Sequence, residues 1–202
     1  FAEPKYTLYL SATLGRTNYS DARIFKKIIP VFKSFTNNNY YEKQRFVSYY
    51  PKFYNSHPAS NWVTKIEKQT GVHIPFYCDY VSEDYESYGM LYNSIKESIE
   101  EFRERFAALN RDRTPKIVIL LGKLELLEKV TGDLCSDFDS VGKFCSLVPA
   151  KSRGEELKKD IIVSTHKSMD SAVDTVVDCM INCVPVSSEI LITQIIGRMR
   201  YK

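Results

Sequence analysis

Residues 160–202 read DIIVSTHKSMDSAVDTVVDCMINCVPVSSEILITQIIGRMRYK, and this stretch decides the fold. Two apolar runs of strand length, residues 161–163 and 176–184, are separated by a polar segment that is rich in serine. After the second run the chain enters a predicted helix that ends in the basic segment QIIGRMR. Continuous apolar runs are typical of strands that are buried on both faces of a parallel sheet. We therefore predict an α/β fold in which ligands meet the loops at the carboxyl ends of the strands.

The overall composition is that of a globular protein. The chain has 202 residues, of which 44% are hydrophobic, and a formal net charge of +3. This net charge gives no basic field over the whole surface, so any contact with nucleic acid has to come from local patches. The sequence shows neither a signal peptide nor an apolar run of membrane-spanning length, so we expect a protein that is not secreted and contacts no membrane.

Cysteines and clustered aspartates are the candidate metal ligands. The number of cysteines is odd, and their spacing fits neither paired CxxC metal sites nor a disulfide framework. We expect reduced thiols in the cytoplasm, or in a nucleus or viral replication site. The aspartates at 133, 137 and 139 lack the glycine and the terminal glutamate of an EF-hand, so we predict no metal site there. The cysteines are Cys78, Cys135, Cys145, Cys179 and Cys183.

Upstream segments alternate between predicted strands and helices. Apolar residues recur every three or four positions over residues 91–110, which predicts the clearest helix of the chain. Aromatic and basic residues mix over residues 40–54, which fits either a stacking platform for single strands or an ordinary packed surface. The other predicted elements are a short helix over 62–69, a helix after residue 123, and strands over 6–10, 74–80, 116–121 and 144–148.

Three short motifs resemble those of superfamily-two helicases and translocases. QIIGR at residues 194–198 resembles motif VI, and IIVST at 161–165, with AVD at 172–174, resembles motif V. LSAT at residues 10–13 is similar to motif III, which closes the first RecA-like lobe. The motifs stand in the family's order, and the resemblance is nearest to helicases of phages and large DNA viruses.

The resemblance implies a RecA-like parallel sheet flanked by helices, with a small remnant of the first lobe. Residues 1–36 would be that remnant, residues 37–115 an inter-lobe and accessory region, and residues 116–202 the second lobe with motifs IV to VI. The strand over 116–121 would carry motif IV. Because motif III lies near the first residue and motif VI near the last, we expect a fragment of a longer chain.

Motif VI would carry the catalytic residues. Phosphoryl transfer needs positive charge on the γ-phosphate oxygens as the bond breaks, and a guanidinium supplies it. Arg198 matches the first arginine of QxxGRxxR, whereas the second falls on Tyr201. Arg200 lies one residue earlier, and since a helix turns by about 100° per residue it need not share the direction of the second arginine. Gln194 would face the nucleotide pocket, with Gly197 beside it.

Small hydroxyl side chains would contact the nucleic acid. Hydroxyl groups and backbone amides position a phosphate backbone without reading its sequence. The matching residues are Ser11 and Thr13 in motif III and Ser164 and Thr165 in motif V. Asp174 matches the acidic residue of motif V that reaches the nucleotide. The family has glycine two residues before it, whereas this chain has alanine, which tolerates positive φ poorly.

The implied function is part of an ATP-dependent helicase or translocase, a monomer that acts on a single strand of DNA or RNA. ATP and Mg²⁺ would be held mainly by the first lobe, because the chain contains no GxxxxGK[ST] phosphate loop. Two alternatives stay open. One is a degenerate lobe that binds nucleic acid or protein without catalysis. The other is an unrelated nucleotide-binding α/β domain with fortuitous motif matches.

We expect the 202-residue chain by itself to hydrolyse no ATP, since it lacks the loop that holds the phosphates. Phosphate release can be measured with and without single-stranded DNA. Robust turnover that DNA stimulates would contradict this prediction.

Overall fold

A computed structural model of the chain describes most of the residues after position 56. The motif III segment and its predicted strand over residues 6–10 lie outside the described residues. Apart from Ser48, the described residues belong to one compact unit. They are residues 48, 50–52, 57–68, 71–109, 113–169 and 176–185.

Helices and strands alternate along the described chain. In order, they are α1 (Ser60–Ile66), β1 (Glu67–Lys68), β2 (Gly71–Val72), α2 (Ile74–Glu83), α3 (Tyr85–Ala107), β3 (Ile117–Leu121), α4 (Leu124–Asp137), β4 (Val141–Phe144), α5 (Ala150–Glu156), β5 (Ile161–Thr165), α6 (His166–Met169) and β6 (Cys179–Asn182). None of the helices in these ranges combines the length and apolar composition needed to cross a bilayer.

The last four strands of the described chain form one parallel sheet of order β4-β5-β3-β6. Every residue of β3 and of β5 is buried, as the strands predicted over residues 116–121 and 161–163 require, whereas β6, in the run over 176–184, is only partly buried. The strands predicted from residues 161–163 and 176–184 therefore share a sheet, on opposite sides of β3. The fold is α/β, a parallel sheet flanked by helices, which confirms the predicted fold class and is consistent with a RecA-like arrangement.

Helices that precede the sheet in sequence pack into the same core as the sheet. Val81 of α2 and Ile95 and Ile99 of α3 share one apolar cluster with Ile119 and Val163 of the sheet. Full burial of such a side chain contributes about 1.5–3 kcal/mol. The described part of the predicted accessory region thus shares its core with the predicted second lobe.

Helix α3 confirms the helix predicted over residues 91–110, but it begins earlier, at Tyr85. The cause is a capping residue, because the Asp84 carboxylate accepts a hydrogen bond of 2.8 Å from the Ser87 amide. The same contact lowers the pKa of the Asp84 carboxyl below its usual value.

The strand predicted over residues 74–80 is wrong, because these residues form helix α2. His73 caps the helix by accepting a hydrogen bond of 3.4 Å from the Phe76 amide, and a proline occupies the first turn. Cys78 and Val81 are buried three residues apart, which is the spacing of one helical face. The aromatic residues suggested a strand, but the apolar face has the helical period.

Two other predicted boundaries also differ. The strand predicted over residues 144–148 ends at Phe144, and beyond it the Val148 amide donates to the Cys145 carbonyl in a turn. The helix predicted over 62–69 stops at Ile66 and gives way to the short β1–β2 hairpin. Gly71 has φ 120° there, a conformation that favours glycine.

Strand β4 lies at one edge of the described sheet and is covered by the end of α5. The Lys143 amide, which faces away from β5, donates to the Glu156 carboxylate at 2.8 Å. A side chain on Gly142 would come within 2.5 Å of the Glu156 carbonyl oxygen, so glycine lets this turn approach the strand.

Gly122, directly after β3, allows α2 to approach the sheet. A Cβ at this position would lie 2.4 Å from Ile74 Cγ2 and 2.8 Å from Cys78 Sγ. Both neighbours belong to α2, so any side chain at residue 122 has to push the helix away from the end of β3.

Gly122→Ala is expected to lower the free energy of unfolding by about 1–3 kcal/mol, the usual cost of overpacking. The matched control is Gly132→Ala within α4, where a Cβ meets nothing within 4 Å. That substitution should stabilise the protein by about 0.5–1 kcal/mol through helix propensity. Chemical denaturation measures both values, and equal stability of the two variants would contradict the packing argument.

Candidate functional site

A cleft of about 610 Å³ opens at the carboxyl edge of the sheet. The strand ends meet there because Leu121 of β3 pairs with Thr165, and Phe144 of β4 pairs with Ser164. This is the edge at which the parallel sheet predicted a ligand site. The cleft is lined by residues 122–125 after β3, 144–146 at the end of β4, Arg153 of α5 and 165–168 after β5.

Thr165 lies on the wall of this cleft and fixes the loop that follows β5. Its hydroxyl donates to the Ser168 hydroxyl at 2.8 Å and accepts from the Ser168 amide at 3.2 Å. These bonds cap the short helix α6, so the loop leaves the sheet in a defined direction. The predicted contact between Thr165 and a nucleic-acid backbone stays a prediction.

Ser164 is placed differently from its neighbour, because its side chain is fully buried. Its hydroxyl donates to the Phe144 carbonyl at 2.6 Å, joining the end of β5 to the end of β4. The structure therefore gives this hydroxyl a role in holding the two strands at the cleft. Its predicted role in nucleic-acid binding stays a prediction.

Three cationic side chains line the cleft. Arg153 is held against the wall, because its Nε donates to the Val148 carbonyl at 3.0 Å and its guanidinium lies 5.9 Å from the centre of the Phe144 ring. Lys167, after β5, is exposed. Lys123 stands between β3 and α4. The sequence showed a basic segment around Arg153 but not that its helix would bring the guanidinium to this edge.

The cations of the cleft exceed its anions. The lining holds the cations Lys123, Arg153 and Lys167 and the carboxylate of Glu125, and a second carboxylate, Asp79 of α2, pairs with Lys123. Helix α4 also begins at Leu124 on the cleft wall, so the positive end of its dipole lies there. Guanidinium and ammonium groups bind phosphate oxygens well, whereas a metal ion prefers carboxylate ligands. The donor set of this cleft suits an anionic ligand.

A buried thiol lies behind the cleft. Cys78 packs beneath Gly122, and burial raises the pKa of its thiol to about 11. The thiol is therefore protonated at neutral pH, whereas the thiolate is the reactive form. Within the described ranges no group of His, Cys, Asp and Glu side chains gathers as a metal site. Asp133 and Asp137 instead accept hydrogen bonds from tyrosines of α3.

Most of the residues predicted from the family resemblance lie outside the described part of the chain, and their roles stay predictions. They are Ser11, Thr13, Asp174, Gln194, Gly197, Arg198 and Arg200.

No protein-family model and no curated protein matches the chain.

Ser164→Ala is expected to lower the free energy of unfolding by about 1–2 kcal/mol, because the buried Phe144 carbonyl loses its donor. Ser146→Ala is the control, since Ser146 is an exposed serine in the lining of the same cleft. It should change stability by less than about 0.5 kcal/mol. If denaturation shows equal stability for both variants, the Ser164 hydroxyl does not hold the strands together.

Proposed function

We propose that this chain is part of an ATP-dependent nucleic-acid helicase or translocase. In this proposal the described residues form the edge of the second lobe that binds the backbone of a single strand of DNA or RNA. One observation supports it most. The loop after β3, whose strand would carry motif IV, and the loop after β5, whose residues resemble motif V, open onto one cleft lined by cations.

The chemistry of the cleft suits a ligand that is bound through its phosphates. Lys123, Arg153 and Lys167 present positive charge, which suits the oxygens of backbone phosphates. Contacts of this kind position a strand but carry no sequence information. A protein that moves along a strand needs such contacts, because it has to bind every sequence that it passes.

Motif VI supplies the chemical step in this proposal. Arg198 would place its guanidinium on the γ-phosphate as the bond breaks, and Gln194 would orient the nucleotide. Arg200, Gly197 and Asp174 would line the same pocket. Bound Mg²⁺ would neutralise phosphate oxygens, held with ATP mainly by residues of a first lobe.

A second candidate is a degenerate lobe that binds nucleic acid or protein without catalysis. The sequence favours it at one point, since Tyr201 replaces the second motif VI arginine. The discriminating experiment is Arg198→Ala in a protein that joins this lobe to an ATP-binding lobe. Loss of ATP hydrolysis supports the helicase, whereas unchanged hydrolysis supports the binding module.

The proposal places the protein in a reducing compartment, such as the cytoplasm, a nucleus or a viral replication site. All five cysteines lie among the described residues, and all are free thiols. Burial raises the pKa of Cys179 to about 11 and that of Cys183 to about 12, which keeps both protonated and slow to oxidise.

Arg153→Ala and Lys167→Ala should each weaken binding to single-stranded DNA and flatten its salt dependence. Each lost phosphate contact should reduce the slope of log K against log salt concentration by about 0.7. Fluorescence anisotropy of labelled oligothymidine over a range of salt concentrations measures both effects.

Lys158→Ala is the matched control for these variants. The Lys158 side chain is 71% exposed and follows α5, at the opposite edge of the sheet. The substitution removes the same charge as Arg153→Ala or Lys167→Ala does. The affinity of the Lys158→Ala variant for oligothymidine, and the slope of log K against log salt concentration, should stay close to those of the original chain. If the three variants lose affinity equally, the contact is not at the cleft, and the proposed binding edge is wrong.

A further inference from the structure

Lys123 differs from the other cations of the cleft because a carboxylate from a distant part of the sequence holds it. Its ammonium group donates a short hydrogen bond to Asp79 of α2. Glu125 in the first turn of α4 lies further away, at 3.6 Å. The side chains of Lys123 and Asp79 are 31% and 29% exposed, so solvent and ligands reach the pair.

The position of Asp79 follows from the packing of α2 on the sheet. Cys78, its neighbour in sequence, fills the space that a side chain at Gly122 would occupy. That close approach fixes α2 against the end of β3, and the carboxylate of the next residue of the helix, Asp79, accepts a hydrogen bond from Lys123 in the cleft lining. The ion pair is thus built by the same contact that docks the helix.

We propose that Asp79 competes with the phosphodiester backbone for Lys123 and so sets the affinity of the cleft for a single strand. The inference rests on the proposed function, because it concerns the same cleft and the same ligand. When a strand binds, a backbone phosphate replaces Asp79 as the partner of Lys123. Without a strand, the pair withholds one cation from the site.

The exposure of the pair makes this exchange feasible. A partly exposed ion pair is weak, so a phosphate that accepts charge-assisted hydrogen bonds can displace the carboxylate. The displaced Asp79 stays beside the bound phosphate, and repulsion between their like charges lowers the affinity. A lobe that moves along a strand has to release it repeatedly, and a competing carboxylate assists that release.

The Asp79→Asn substitution tests this inference, because asparagine keeps the shape of the side chain and removes its charge. Binding of labelled oligothymidine should become about two- to fivefold tighter, the factor expected for one partly exposed ion pair. The slope of log K against log salt concentration should steepen by up to about 0.7, because Lys123 becomes a full phosphate contact. Lys123→Ala should change both quantities in the opposite direction.

Two further variants separate competition from a purely structural role. Asp139→Asn removes the same charge from an exposed residue at the opposite end of α4 and should leave binding unchanged. In the Lys123→Ala background, Asp79→Asn should no longer tighten binding. The inference is overturned if Asp79→Asn tightens binding no more than Asp139→Asn does. It is also overturned if Asp79→Asn still tightens binding in the Lys123→Ala background. If the ion pair only docks α2, Asp79→Asn would lower the thermal stability of the protein and leave the slope of log K against log salt concentration unchanged.

Failure of the inference is distinguishable from failure of the proposed function. If Arg153→Ala weakens strand binding but neither Asp79→Asn nor Lys123→Ala changes it, only the competition is wrong. If the original chain binds no single strand, both are wrong. Lys123→Ala keeps the inference testable even if Asp79→Asn does not fold.

Discussion

The structure depends on the burial of β3 on both faces. This strand stands between β5 and β6, and each of its residues is removed from water. A charged side chain inside such a strand would cost free energy unless it were paired, so the charged neighbours of β3 follow its end. Gly122 and Lys123 come immediately after Leu121 and begin the cleft. The need to bury an apolar strand thus places the cationic edge of the sheet.

The same constraint explains what could be predicted from the sequence. The runs over residues 116–121 and 161–163 are apolar enough to indicate buried parallel strands, and the sheet confirms them. β4 was misplaced because Gly142 and Lys143 interrupt its apolar pattern, although its burial alternates as expected for an edge strand. Aromatic residues in α2 suggested a strand, whereas burial against the sheet selected the helix.

The site was predicted in part, and the missing part has a physical cause. Thr165 lies at the cleft because it ends a buried strand, whereas its predicted contact with nucleic acid stays a prediction. Arg153 and Asp79 were missed because their positions depend on how α5 and α2 pack, which no local pattern records. Arg153 contacts the Val148 carbonyl, and Asp79 contacts Lys123. In both cases the partner lies outside the helix that carries the side chain. The pair of Asp79 and Lys123, which are 44 residues apart in sequence, becomes visible only when the fold is known.

Glu156 at the end of α5 has a consequence for solubility. The exposed edge of a sheet offers unpaired amides to which another chain can add a strand. On β4, the outward amide of Lys143 is already bound to the Glu156 carboxylate, and the α5 turn lies against Gly142. An incoming strand would have to displace a charged acceptor and a packed turn. This edge is therefore protected against the strand addition through which sheet proteins aggregate.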